Sequence, residues 1–410
     1  MSPCDRLPLL EDLPDPSGKN VLLRVDFNTP LHQVAGGRWE VEDDYRIRMA
    51  LPTIEWLVDH GAVVTACSHL GRPNGRPDPR YSLAPVRECL EALAPGVTLL
   101  ENLRFDPGEE AASPASIDSL VAGQDLFVND AFGVAHRRHA SVIGPPRRLP
   151  SAAGRLLARE VEVIGGLLEH PSRPFVAIVG GAKVAGKLGV LKTLAIKAEV
   201  LMIGGAMAFT FLAALGHEVG ESLVDPEHIG ACKELIDLGG RVMVPEDFVA
   251  IPVPGEASEA GAGANGSGEA GAGAGNGANG SVPAPVAVVG RDIPRGWKGM
   301  DIGPRTARAF ADELAGAGTV FWNGPMGAFE DKRFENGSRV VAEAMARCGG
   351  FTVVGGGDSV CALDHFGLGG TVDFVSTGGG AALDLIEYGD LPGLTALRSS
   401  PLCSHAGGRA

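Results

Sequence analysis

The sequence predicts an α/β protein built from parallel βαβ units and long enough for two domains. Three observations carry this. Seven short β-branched or aliphatic runs alternate with helical stretches: VLLRVDF, AVVTACSHL, LFVNDAF, FVAIVGGAK, EVLMIGG, TVFWNGP and FTVVGGGDS. Nearly all of them finish in Gly, Asp or Asn, as expected where strands meet loops gathered at one edge of a parallel sheet. The third observation is bulk. The chain has 410 residues, 45% of them hydrophobic but only 5% aromatic, so the core must be mostly Ala, Val, Leu and Ile.

Net charge is −15, which argues against nucleic acid or an anionic membrane as a partner of the whole surface. The seven cysteines show no CxxC or short metal-type spacing, so reduced thiols are expected. The N-terminal stretch lacks a basic region followed by an apolar core, and a cytoplasmic location is expected. The longest uncharged run, residues 200–216, falls short of a membrane span and carries a Gly pair; it reads as strand, turn and helix.

Along the chain, VLLRV at residues 21–25 reads as a buried strand, and Asp26 and Asn28 flank Phe27 at its end, where α/β proteins place ligands. The amphipathic stretch at residues 149–174 has helical spacing and a Pro stop, and the domain boundary is expected there. Residues 255–281 are nearly all Gly, Ala, Ser, Asn and Glu and are expected to form a disordered insertion. A flexible tail is expected over 399–410.

The first half concentrates cations at apparent strand ends. His69 and Arg72 lie in SHLGRP, Arg104 in LLENLRF and Arg137 in NDAFGVAHRRHAS, while Arg46 opens a helical run. Parallel strand ends converge, so these side chains are expected to form one pocket for a small, doubly anionic metabolite. For any one of these arginines a surface ion pair is the commoner explanation, but solvated arginines have no reason to recur at strand ends.

The second half places glycines between apparent strands and helices in GGAKVAGK, IGGAMAF, WNGPMGAFE, VVGGGDS and STGGGAA. Bare amides at helix starts bind anions. Lys183 and Lys187, four apart, are expected on one helical face near phosphates, and Asp358 is expected to hold a hydrated Mg²⁺. Neither a Walker A sequence nor a protein-kinase glycine loop is present.

These stretches, together with DIGPRT and STGGGAALDLIE, resemble the phosphoglycerate kinase family in order and across almost the whole chain. The resemblance implies two Rossmann-like three-layer (α/β/α) lobes with parallel sheets, joined by a helical hinge. Residues 1–165 would form the triose-binding lobe, with 388–398 packing back on it, and 172–387 the nucleotide-binding lobe. It implies transfer of a phosphoryl group between 1,3-bisphosphoglycerate and ADP, by a monomer, with magnesium carried on the nucleotide. Asp26, Asn28, Arg46, His69, Arg72, Arg104 and Arg137 would bind the triose. Lys183, Lys187, Ala206, Gly299, Asn323, Glu330, Gly357, Asp358 and Ser359 would bind the nucleotide. Arg46, Lys187, Gly357 and Gly379 would serve the transferring group.

The sequence departs from the family pattern at three places. Ala206 stands where a third glycine is usual, and Gly186 replaces an acid often found before the second lysine. Between CLEALAPG and VTLLENLRF a strand and helix are missing, which is expected to shorten the first sheet without splitting it and to leave that lobe the less stable.

Overall fold

The computed structural model describes residues 6–238, 240–253 and 285–402. The expected insertion at 255–281 and the end of the expected tail lie outside the described residues. The chain divides into two compact units, Met1–His170 with Ser376–Ala410, and Pro171–Val375.

The first unit contains β1 (Asn20–Arg24), β2 (Leu31–Gln33), β3 (Trp39–Val41), β4 (Val63–Cys67), β5 (Thr98–Leu99), β6 (Leu126–Asn129) and β7 (Ser151–Ala153). Its main sheet is parallel, in the order β5-β4-β1-β6-β7. β1 is the central strand, and Val21, Leu22 and Leu23 are fully buried. A strand covered on both faces is apolar at successive positions, and here only Arg24 at its end breaks the apolar sequence that starts at Val21. The sheet is continuous, with the two-residue β5 at one edge. β2 and β3 form a separate antiparallel hairpin.

The second unit contains β8 (Phe175–Val179), β9 (Val200–Ile203), β10 (Arg241–Met243), β11 (Asp247–Pro252), β12 (Ala287–Gly290), β13 (Trp297–Ile302), β14 (Thr319–Asn323), β15 (Phe351–Gly355) and β16 (Phe374–Val375). Its six-stranded parallel sheet runs β10-β9-β8-β14-β15-β16. The core around it joins Ile178, Met202, Trp322 and Val354 from the strands to Phe310, Val341 and Leu363 from the helices. All seven strand-like runs read from the sequence are strands of the two parallel sheets. The antiparallel sheet β12-β11-β13 was not expected.

Residues 376–387 depart from the expected boundary. They group with the first unit because the helix Gly380–Tyr388 packs on the helix Arg155–Glu169. Glu160 of that second helix also takes hydrogen bonds from the Thr377 amide at 2.6 Å and hydroxyl at 2.8 Å.

Candidate functional site

In the first unit, chain leaving β1 continues alongside β4 territory: the Val25 amide bonds to the Cys67 carbonyl and the Phe27 amide to the Ser68 hydroxyl at 2.8 Å. Phe27 is fully buried. It therefore anchors the segment while its neighbours Asp26 and Asn28 reach the pocket. Asn28 Oδ1 accepts the Gly71 amide at 2.8 Å, and the Gly71 carbonyl accepts Arg104 Nη1 at 2.6 Å. Gly71 has φ +58°, and a Cβ there would lie 2.3 Å from the Tyr81 ring, so only glycine lets this loop lie so close. Arg46, on the first turn of the helix Tyr45–Asp59, pairs with Asp26 at 2.8 Å.

These elements enclose a cavity of about 310 Å³ lined by Asp26, Asn28, Arg46, His69, Arg72, Arg104, Arg137 and Gly379, with Gly71, Gly133, His136 and Thr377 among the remaining walls. All seven residues expected to bind the triose therefore line one pocket. Burial opposes ionisation of Asp26, but Arg46 and Arg24 beside it hold its carboxyl below the usual range. Burial, reinforced by Arg24, Arg104 and Arg46, pushes His69 down to about 3, so its imidazole is neutral around pH 7. Four guanidiniums against one carboxylate make this a cationic pocket in an acidic protein, and what it can hold is a small polyanion.

In the second unit three loops interlock through their backbones. The Gly181 amide bonds to Pro325 O at 3.0 Å, the Gly205 amide to Met326 O at 3.0 Å and the Met207 amide to Gly181 O at 3.1 Å. Gly205 has φ +64°, and a Cβ on it would lie 2.4 Å from the Gly181 nitrogen. The glycine-rich composition thus follows from backbone meeting backbone.

Beside these loops lies a cavity of about 290 Å³ whose walls include Ala206, Phe209, Gly299, Met300, Asp301, Met326, Glu330 and Asp358. Apolar faces with a few acids at the margin suit a flat ring bearing polar substituents. Asp358 sits in the first turn of the helix Gly357–His365. Ala206 has φ −68° and ψ −22°, ordinary right-handed backbone, so a methyl is tolerated there without strain.

The other expected nucleotide residues do not line this cavity. Asn323 is buried and donates to Gly355 O at 2.8 Å; Ser359 is buried and bridges the Gly324 amide to Gly355 O. Both hold the loops after β14 and β15 in place. Lys187 Nζ rests on Gly180 O at 2.8 Å, and burial, opposed by Asp358, lowers it to about 8. Lys183 is exposed and precedes the 3-10 turn Ala185–Lys187, so the two lysines do not share a helical face as expected, and Gly357 opens its helix.

Sequence reading missed Arg24, Glu109, Glu160 and Asp301, all buried. Burial lifts the Asp301 carboxyl to about 7 against hydrogen bonds from the Gly337 and Ile302 amides. Glycines 327 and 337 leave room for it, since a Cβ on either would lie 2.2–2.3 Å from its carboxylate oxygen. DIGP was a visible motif, but nothing in it reported a buried acid.

A cationic pocket on one parallel-sheet unit and a glycine-framed, acid-edged pocket on the other are the features expected of a kinase in the broad sense. Comparison with known proteins makes the assignment specific. The chain matches the Phosphoglycerate kinase family model over residues 10–98 and 91–388. The phosphoglycerate kinase of Rubrobacter xylanophilus is 46% identical over 404 residues, covering 93% of this chain and 95% of that protein. That of Thermus thermophilus is 46% identical over 412 residues, covering 93% and 98%. The solved structure of phosphoglycerate kinase from Coxiella burnetii superposes with a TM-score of 0.81 at 32% identity, covering 96% of this chain and 99% of that one. The chain belongs to the phosphoglycerate kinase family. The two matched stretches overlap at residues 91–98, where a strand and helix were expected to be missing.

Proposed function

We propose that the protein transfers a phosphoryl group reversibly between 1,3-bisphosphoglycerate and ADP, giving 3-phosphoglycerate and ATP, with a carboxyl group as acceptor in the reverse direction. The observation that carries this reading is the convergence of Asp26, Asn28, Arg46, His69, Arg72, Arg104 and Arg137 on one cavity. An acyl phosphate with a second phosphate at its far end needs several charge-assisted donors, and a planar carboxylate suits guanidinium forks.

The chemistry asks little of a general base, because the attacking oxygen is already anionic in either direction. Catalysis reduces to alignment and neutralisation of charge on the moving group. In this reading Arg46 and the Gly379 turn serve it from the triose pocket, and Lys187 and the Gly357 amide from the nucleotide side. A phosphate would offer Lys187 Nζ a charged acceptor in place of the neutral Gly180 carbonyl on which it rests. Lys183, Asn323 and Ser359 would act at the phosphates or through the loops that hold them, and Gly299, Ala206 and Glu330 at the base and ribose. Asp358 would hold Mg²⁺ on the nucleotide. One carboxylate beside a phosphate site fits a cation that keeps most of its water.

We also assign the working form as a cytoplasmic monomer hinged near residues 165–172, since transfer requires both substrates to meet with water excluded. The test is ATP formation from 1,3-bisphosphoglycerate and ADP with magnesium. We expect turnover in the wild type and a fall of about 100-fold or more in Arg46→Ala and Lys187→Ala. Absent wild-type turnover, or variants as active as the wild type, would overturn the assignment.

A further inference from the structure

Arg24, the last residue of β1, is fully buried, and its guanidinium is held on three sides. Nε donates to Ser141 Oγ at 2.9 Å, Nη1 donates to the Val25 carbonyl, and Nη2 lies 3.3 Å from Nδ1 of His69. Ser141 in turn is held by Glu109, which accepts its hydroxyl at 2.6 Å and its amide at 2.9 Å. Ser141 and Glu109 are buried as well. The result is a closed line of polar contacts from Glu109 to His69.

Chemistry fixes the direction of every bond in it. A guanidinium only donates and an ionised carboxylate only accepts, so the Ser141 hydroxyl must accept from Arg24 and give its proton to Glu109. The same reasoning applies at the far end. Arg24 Nη2 has only N–H to offer, so Nδ1 of His69 must present its lone pair, and the ring's single proton stands on Nε2. Asp26 Oδ1 would favour the opposite arrangement, but at 3.8 Å from Nδ1 it is beyond hydrogen-bonding distance. Glu109 also supplies the negative charge that a buried guanidinium needs. His139 Nδ1 also lies 3.7 Å from Glu109.

We propose that Glu109, Ser141 and Arg24 are positioning residues that fix His69 with its proton on Nε2, so that the ring offers an anion in the pocket an N–H donor rather than a lone pair. The neutral state of His69 is what gives the choice of nitrogen its consequence: a lone pair facing a phosphate or carboxylate oxygen would repel it. This deepens the reading of the pocket as the triose site and rests on it only for the identity of the anion.

The test is nitrogen NMR of the whole protein with ¹⁵N-labelled histidine, His69 being assigned by its absence in His69→Gln. In the free wild type we expect Nδ1 to resonate as a bare nitrogen and Nε2 as a protonated one. A proton on Nδ1, or a His69 that titrates near neutral pH, would overturn the proposal. In Ser141→Ala, which removes only the hydroxyl, we expect a mixture of tautomers and 3-phosphoglycerate binding weakened about three- to tenfold, the loss of roughly one hydrogen bond, with ADP affinity unchanged. Glu109→Gln should do the same if it folds. A folded Ser141→Ala protein with the wild-type His69 spectrum would overturn the relay. Failure of the wild type to bind 3-phosphoglycerate would count against the triose reading alone, because the tautomer is read without ligand.

Discussion

Lys187 should lower the stability of the protein that needs it, and the effect can be separated by pH. Burial brings its ammonium from 10.5 down to about 8, with Asp358 acting in the opposite sense. That gap corresponds to about 3 kcal/mol of penalty for holding the charge in the folded state. Below about pH 8 folded and unfolded chains both keep the proton, so the penalty stands in full. Between about 8 and 10.5 the folded chain releases its proton first, and stability climbs with pH. Lys187→Met removes the charge and also the hydrogen bond to Gly180 O, itself worth about 1 kcal/mol. The expected net gain near neutral pH is therefore about 2 kcal/mol, alongside loss of turnover. Denaturant unfolding without nucleotide, followed by fluorescence across the pH range, measures it. Equal stability at neutral pH, or a variant whose curve climbs as steeply as the wild type between about 8 and 10.5, would refute the reasoning.

Three further outcomes are expected. Gly205→Ala, at φ +64° and with its methyl against the Gly181 nitrogen, should cost about 2–4 kcal/mol and weaken ADP binding, read by unfolding and calorimetry. Gly71→Ala should displace the Tyr81 ring and with it the loop that holds Asn28 and Arg104, raising KM for the triose about tenfold while leaving KM for the nucleotide unchanged. Asp301, lifted to about 7, keeps a proton when folded that the unfolded chain gives up near 3.8, so its contribution to stability falls as pH rises through that window. The stability difference between wild type and Asp301→Asn should slope with pH across that window, and a flat difference would show that the carboxyl is ionised throughout.

The seven strands read from the sequence were legible because each is mostly buried and is followed within a few residues by Gly, Asp or Asn, whereas the short strands β5, β7, β10 and β16 gave no such run. The cationic pocket was legible for the same reason, since most of its side chains follow those strands. The antiparallel strands β11 to β13 were less so: β12 has the burial of an edge strand, with Val288 exposed, and gives no clean apolar signal. All seven residues expected to bind the triose line one cavity, whereas only Ala206, Gly299, Glu330 and Asp358 of those expected to bind the nucleotide line the other. Asn323 and Ser359 act on backbone groups, and a residue that braces a loop has the same sequence signature as one that touches what the loop holds. Arg24 and Glu109 were invisible because a lone charged residue in a strand or short helix reads as solvated. The position of residues 376–387 depended on a packing contact with Glu160, more than 200 residues away in sequence.

The pairing of β11 with β12 has a consequence for how this chain can be altered. β11 and β12 are held in register through Ala250 opposite Ala287, so the two points at which the chain departs and returns are pinned as neighbours by a ladder that also ties to β13. Joining two such points with more chain costs only about 0.6 kcal/mol for each doubling of length. The position is thus a natural port for grafting, where a peptide tag or a small reporter whose own ends lie close together can be spliced without asking any strand to change partners.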